Sequence, residues 1–163
     1  MTTPGHAGTS DPTTTDPQGR ALLPAAFRDE LPADDRGAFV LYHSPNAQGV
    51  VNGNSRAGFD TMLGRLRAEA LGPAGSLKVA LDDEAFDPAG YLSSSARNIP
   101  MEPDGRFVLP VEFSTALEIE DSVLFAGRGD KFQLWNPKKW EARRDADRAK
   151  MAAFVRNMGG GEA

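Results

Sequence analysis

Arg20 and Arg106 are the residues of this 163-residue chain best placed to do chemistry. Each follows a glycine, Gly19 or Gly105, that closes a proline-led tripeptide: Pro17-Gln18-Gly19 and Pro103-Asp104-Gly105. Proline fixes its own φ and glycine accepts a positive one, so both tripeptides read as tight turns. An arginine at the base of such a turn offers a planar fork of N–H donors, suited to a guanine edge or a phosphate. The acid opening each turn, Asp16 or Glu102, is a competing partner that would pin the turn instead. Both roles are compatible, since a carboxylate can orient an arginine that also touches DNA. Arg28 could add a phosphate contact, whereas its equivalent, Ser114, carries no charge.

Other chemistry is weaker. His6 and His43 are the only histidines, and no Ser/Asp constellation accompanies them, so no triad can be argued. The absence of cysteine excludes disulfides and thiolate metal sites and fits a reducing compartment. Asp82-Asp83-Glu84 with Asp87 lacks the glycine turn and ligand spacing of a calcium loop and reads as a solvated acidic helix start. Arg128-Gly129-Asp130 reads as a hairpin turn, and no phosphate-cradling glycine loop is present. Trp135 and Trp140 read as core residues. These residues give no reason to expect an enzyme, a cofactor, a metal or a small-molecule substrate.

The elements that must position the arginines are themselves duplicated. Residues 16–28 read D-P-Q-G-R-A-L-L-P-A-A-F-R and residues 102–114 read E-P-D-G-R-F-V-L-P-V-E-F-S. With Gly19 set on Gly105, the acid, both prolines, the arginine, the apolar run and Phe27/Phe113 fall into register. The apolar run after each arginine predicts a short strand, ended at Leu23 and Leu109 by the following proline. Pro24 and Pro110 suit the first position of a short helix that turns Phe27 and Phe113 inward, with Leu31 and Leu117 on the same face. A hairpin follows in each half. Ala38–His43 and Gln48–Asn52 flank Ser44-Pro45-Asn46-Ala47, and Ser122–Ala126 and Lys131–Trp135 flank Gly127-Arg128-Gly129-Asp130. The first hairpin is the poorer, with Asn52-Gly53-Asn54 where the second has Gln133-Leu134-Trp135.

Each half then closes on a helix. Phe59, Met62, Leu63, Leu66 and Ala70 recur at helical spacing until Gly72-Pro73. Asn136 is a plausible N-cap with Pro137 at the first helical position, opening a charged helix with a sparse stripe of Trp140, Met151, Phe154, Val155 and Met158. The expected organisation is a loose arm over 1–15, a first half over 16–71, a connecting segment over 72–98, a second half over 99–142 and a charged helical tail over 143–163. The class is α+β with short strands.

Bulk properties narrow the partners. Net charge is −5, with 40% hydrophobic residues, 17 glycines and 12 prolines. That argues against an overall basic nucleic-acid binder but not against local basic sites. No apolar run reaches membrane-spanning length, and the Thr-, Pro- and Gly-rich start lacks the apolar core of a secretory signal. A cytoplasmic chain is expected.

Taken together, the two Gly-Arg motifs, each trailed by a hairpin and a helix, resemble the MraZ family over roughly residues 16–142. The second half matches best, through E-P-D-G-R-F-V-L-P-V-E-F and V-L-F-A-G-R-G-D-K-F-Q-L-W-N-P-K-K-W-E, preceded by the small residues Ser93-Ser94-Ser95-Ala96. The resemblance implies two SpoVT/AbrB-like swapped-hairpin units, each a small β-barrel-like unit with short flanking helices. It implies a nucleoid-associated transcriptional regulator that assembles as a ring-like homo-oligomer. Its implied target is repeated double-stranded DNA boxes upstream of a division and cell-wall gene cluster. The implied DNA-binding residues are Gln18, Gly19, Arg20, Arg28, Asp104, Gly105 and Arg106, supported by Asp16, Pro24, Glu102 and Pro110. Departures are Gln18, where the family has a basic residue, and the polar stretch Asp11–Thr15, where it has an apolar strand. The competing reading is a ring-forming structural protein of the same fold with weakened DNA readout.

Overall fold

A computed structural model describes residues 10–33 and 37–159. Among the described residues there are eight strands and five helices. The first half runs β1 (Ser10–Thr14), β2 (Arg20–Leu22), α1 (Ala25–Arg28), β3 (Ala38–His43), β4 (Val51–Asn54), α2 (Arg56–Leu81) and α3 (Pro88–Ser95). The second runs β5 (Arg97–Pro100), β6 (Arg106–Val108), α4 (Val111–Leu117), β7 (Ser122–Gly127), β8 (Phe132–Trp135) and α5 (Pro137–Gly159). The class is α+β, built on antiparallel strands.

The halves are laced together through their strands. The larger sheet has the order β1-β7-β8-β4-β3-β5, and β2 pairs β6 in a separate two-stranded ribbon. The first strand of each half thus pairs with the hairpin of the other: β1 with β7, and β5 with β3. Equivalent residues face each other at both centres, Asn52 opposite Gln133 and Ala21 opposite Phe107.

β1 corrects the expectation of a loose arm for residues 10–14. Its polar sequence suits an edge strand, which needs no apolar alternation and tolerates Pro12. Residues 1–9 lie outside the described residues. β2 and β6 end one residue earlier than expected. Pro24 and Pro110 keep extended ψ values of 147° and 143°, so they flank α1 and α4 rather than open them. The first hairpin's return strand starts at Val51, not Gln48. The intervening turn runs on through Gly49, at φ +79°, until Ser44 N donates to Val50 O at 2.9 Å. The connecting segment 72–98 is more structured than expected. Gly72, at φ +67° and ψ −174°, is non-helical and ends the first helical stretch of α2 where Gly72-Pro73 was expected to, but a second stretch runs on to Leu81, and α3 and the start of β5 follow.

The main core lies between the larger sheet and the ribbon. Phe27, Phe39, Phe107, Phe125 and Phe132 pack there, with Phe39 edge-on to Phe107 at 5.1 Å. Phe27 and Phe113 are fully buried, and Leu31 and Leu117 are buried beside them, as their spacing predicts. On the sheet's other side α2 and α3 cover Val40, Tyr42, Phe59 and Leu92, while Trp140 of α5 packs edge-on to Trp135 at 5.3 Å. Between those two apolar clusters runs a buried polar line. Gln133 Nε2 donates to Asn52 Oδ1 (2.9 Å), Trp135 Nε1 to Gln133 Oε1 (3.0 Å) and Tyr42 OH to Asn54 Oδ1 (2.7 Å). Each of these buried donors thereby has a partner, as burial demands. Burial pushes the Tyr42 phenol up to about 12, so it stays a neutral donor.

A candidate nucleic-acid interface on the ribbon

The β2–β6 ribbon sorts its residues by the pleat. Ala21 and Phe107 are buried, and Arg20, Leu22, Arg106 and Val108 point the other way, exposed. Arg20 stands opposite Val108 and Leu22 opposite Arg106. The two arginines are therefore diagonal neighbours, a relation that spaces Cα atoms about 7–8 Å apart in an antiparallel pair. They line an open groove with Thr14, Asp16, Leu22 and Asp104.

Each arginine is aimed by a turn that matches its twin bond for bond. Gly19 N donates to Asp16 O (2.9 Å) and Asp16 N to Arg20 O (3.2 Å); Gly105 N donates to Glu102 O (2.8 Å) and Glu102 N to Arg106 O (2.9 Å). The turns also lock each other: Leu109 N donates to Gly19 O (2.7 Å) and Leu23 N to Gly105 O (2.9 Å). Both glycines have positive φ, +84° and +97°, and a Cβ would sit 2.7 Å from Leu109 O at position 19 and 2.8 Å from Leu23 O at position 105. Glycine is required twice over, by conformation and by the approach of the other half's backbone.

The acids hold the arginines in different ways. Asp16 Oδ1 accepts from the N–H groups of Gln18 and Arg20, while Oδ2 accepts from Arg20 Nε at 2.6 Å. The Arg20 guanidinium, helped by those backbone donors, holds the Asp16 carboxyl below the usual aspartate range. In the second turn this job passes to Asp104, whose Oδ2 lies 2.8 Å from Arg106 Nε. Glu102, one methylene longer, stands off at 3.7 Å from Nη2. Gln18 Oε1 lies 3.4 Å from Arg20 Nη2. Both arginine side chains remain 67% exposed. Exposed ion pairs of this kind are worth about 0–1 kcal/mol, so exchange for a phosphate or a base edge costs little.

Arg28 reaches across to the second turn. Its Nη1 donates to Asp104 O (2.6 Å) and Leu23 O (3.2 Å), bracing the second turn from the first half. Pro24 and Pro110 sit just beyond the ribbon strands, where their fixed φ turns the chain into α1 and α4. Leu22 and Val108 are outward-facing ribbon residues that the sequence alone places only in an apolar run. Their signal was period-two alternation counted from each arginine. His43, at the end of β3, lies against the Phe113 ring at 4.9 Å. Asp82, Asp83 and Glu84 occupy an exposed turn before α3 rather than a helix start. Among the described residues no group of three His, Asp or Glu side chains is arranged to hold a metal, and no helix is long and apolar enough to cross a membrane.

The family described as "MraZ protein, putative antitoxin-like" matches residues 92–156, the half that carries Arg106. A curated relative from Xanthobacter autotrophicus, "Transcriptional regulator MraZ", is 31% identical over 130 residues, spanning 78% of this chain and 74% of the relative. The chain belongs to the MraZ family. Relatives of the same description in Azorhizobium caulinodans and Mycoplasmopsis pulmonis are each 28% identical, over 149 and 131 residues. They cover 90% and 80% of this chain and 87% and 79% of their own lengths. The MraZ resemblance therefore extends beyond the second motif to both halves of the chain.

Proposed function

We propose that this chain is a sequence-specific, DNA-binding transcriptional regulator that reads duplex DNA with the exposed face of the β2–β6 ribbon. The observation that carries this reading is the pairing of Arg20 and Arg106 on one solvent-facing, two-stranded ribbon. A major groove about 12 Å wide admits such a ribbon, and an arginine fork matches guanine O6 and N7 there. Leu22 and Val108 supply apolar contact of the kind a thymine methyl accepts. Gln18 and Asp104 flank the arginines, Gly19 and Gly105 keep the turns tight, and Arg28 acts behind the second turn.

The wider reading is that of two AbrB-like swapped-hairpin units in one cytoplasmic chain, exchanging β1 and β5. The halves would span about residues 16–71 and 99–142, with β1 running ahead of the first, and copies would join as a ring on the nucleoid. Repeated boxes upstream of a division and cell-wall gene cluster would then meet several ribbons at once. A single subunit with net charge −5 binds DNA weakly. Copies held together turn later contacts into intramolecular ones, a gain of about 10²- to 10⁴-fold. The alternative, a ring that has lost readout, is favoured by Gln18, by the polar first strand and by the acids that hold both arginines.

Mobility shifts on the upstream DNA trimmed to one, two or more boxes test the multivalent reading. Affinity is expected to climb at least about tenfold from one box to two, with a steeper fall in salt. Equal affinity for one and several boxes sinks it.

A further inference from the structure

Two exposed apolar surfaces of opposite charge lie on opposite halves of the molecule. The first is the far end of α5. This 23-residue helix is about 34 Å long, yet its only buried residue is Trp140, in the first turn. Met151, Phe154, Val155 and Met158 recur at i, i+3, i+4 and i+7 on the face that begins at Trp140. All four are 57–71% exposed. The charges from residue 148 to 159 are all basic: Arg148, Lys150 and Arg156.

The second surface is the bend between α2 and α3. Leu77, Leu81, Phe86 and Tyr91 are 62–78% exposed there. From Leu77 to Tyr91 the charges are Lys78 and four acids, Asp82, Asp83, Glu84 and Asp87, so the bend is net acidic. In the first half, α3 lies across α2 and buries Leu92 against its apolar face. Among the described residues, nothing covers the corresponding face of α5.

We propose that the basic, apolar end of α5 docks on the acidic, apolar α2–α3 bend of a second copy of this chain. The occupant follows from complementarity. Each surface carries what the other lacks, and exposed patches of this kind mark interaction sites. Because the two surfaces differ, the contact is head-to-tail, and such contacts propagate until they close as a ring or run on as a filament. The inference rests on the homo-oligomeric part of the reading above and locates its interface.

Two full-length variants test it by light scattering after size exclusion. A tail variant carries Phe154→Asp and Met158→Asp, and a bend variant carries Leu81→Asp and Phe86→Asp. The substituted residues are exposed, and far-UV circular dichroism with Trp135/Trp140 fluorescence reports retention of the fold. Wild type is expected as a multimer and each variant alone as one chain. Their equimolar mixture is expected to double to a one-to-one pair, since each keeps the surface the other has lost. Should either variant fold poorly, Arg148→Glu with Arg156→Glu and Asp82→Lys with Asp83→Lys take their places. Each pair then weakens assembly, and all four substitutions in one chain restore it. An assembled wild type whose variants keep its mass overturns this interface and leaves the ring reading standing. Loss of assembly in the tail variant alone overturns it in favour of a tail-to-tail contact. A wild type that stays a single chain at tens of micromolar overturns the ring reading and the interface together. Flotation of that single chain with phosphatidylserine vesicles, lost in the tail variant, would assign the tail to a lipid surface instead.

Discussion

An Arg20→Ala, Arg106→Ala double variant is expected to bind box-bearing duplex roughly 10²- to 10⁴-fold more weakly while keeping its fold. A good bidentate arginine–guanine contact is worth about 1–3 kcal/mol, and every 1.4 kcal/mol is about tenfold. Two contacts per chain set the range, and multivalency raises the loss observed on a multi-box duplex. Stability should move by no more than about 0.5 kcal/mol, because both side chains are largely exposed and their ion pairs are weak. The single variants divide the effect between the halves. Similar losses mean that both ribbon strands touch DNA, and a loss confined to one means that the other half mainly builds the assembly. Arg→Lys at either position keeps the charge but not the fork, so it should retain non-specific binding and lose box preference. Fluorescence anisotropy at moderate salt with specific and scrambled duplexes makes the comparison. Unchanged retention in both single alanine variants removes readout by the ribbon.

Gly53→Ala is expected to destabilise the fold by about 3 kcal/mol, at the upper end of what overpacking usually costs. Gly53 lies opposite Phe132 in the β4–β8 pairing, and a Cβ there would meet the Phe132 ring. The ring has little room to retreat. It is fully buried, with Phe27, Phe39 and Phe125 at centroid distances of 5.6, 5.9 and 6.0 Å. Urea unfolding followed by tryptophan fluorescence measures the loss. Phe132→Leu in the same chain should recover part of it, a coupling of the kind residues in contact show. A Gly53→Ala protein as stable as wild type, or a double variant whose losses simply add, would show that the ring does not depend on this glycine.

Gly53 also marks where the sequence misled. Beside Gln133-Leu134-Trp135, the stretch Asn52-Gly53-Asn54 reads as a degraded copy. In the folded chain the copies are complementary: Gly53 makes room for Phe132, and Val51 stands across from Leu134. Asn52 and Gln133 meet at the centre of the buried polar line. A repeat compared with itself along the chain cannot show that its halves will face each other.

What was legible was local. The turn glycines, the inward Phe27 and Phe113, the second hairpin and the Asn136 cap all follow from rules spanning a few residues. Asn136 Oδ1 accepts from Lys138 N at 3.0 Å, as an N-cap should. The pairing of β1 with β7 was not legible, because an edge strand of Ser, Asp, Pro and Thr carries no apolar alternation. Nor was the diversion of Arg28 to Asp104 O, a contact 76 positions away in the chain. The ribbon itself was half legible. Each arginine was found from its motif, but their shared face depends on the antiparallel pairing of strands from different halves.

The proposed contact is tested most directly by photo-crosslinking from the ribbon. A photoreactive phenylalanine analogue is placed in turn at Leu22, at Val108, and at Phe86 and Tyr91 on the distant α2–α3 bend, in otherwise wild-type full-length protein. Irradiation with box-bearing duplex is expected to attach DNA at positions 22 and 108, to lose that product against excess specific competitor, and to leave 86 and 91 unlabelled. Specific DNA bound by all four proteins but crosslinked only from the bend, or from none of them, would contradict recognition by the β2–β6 ribbon.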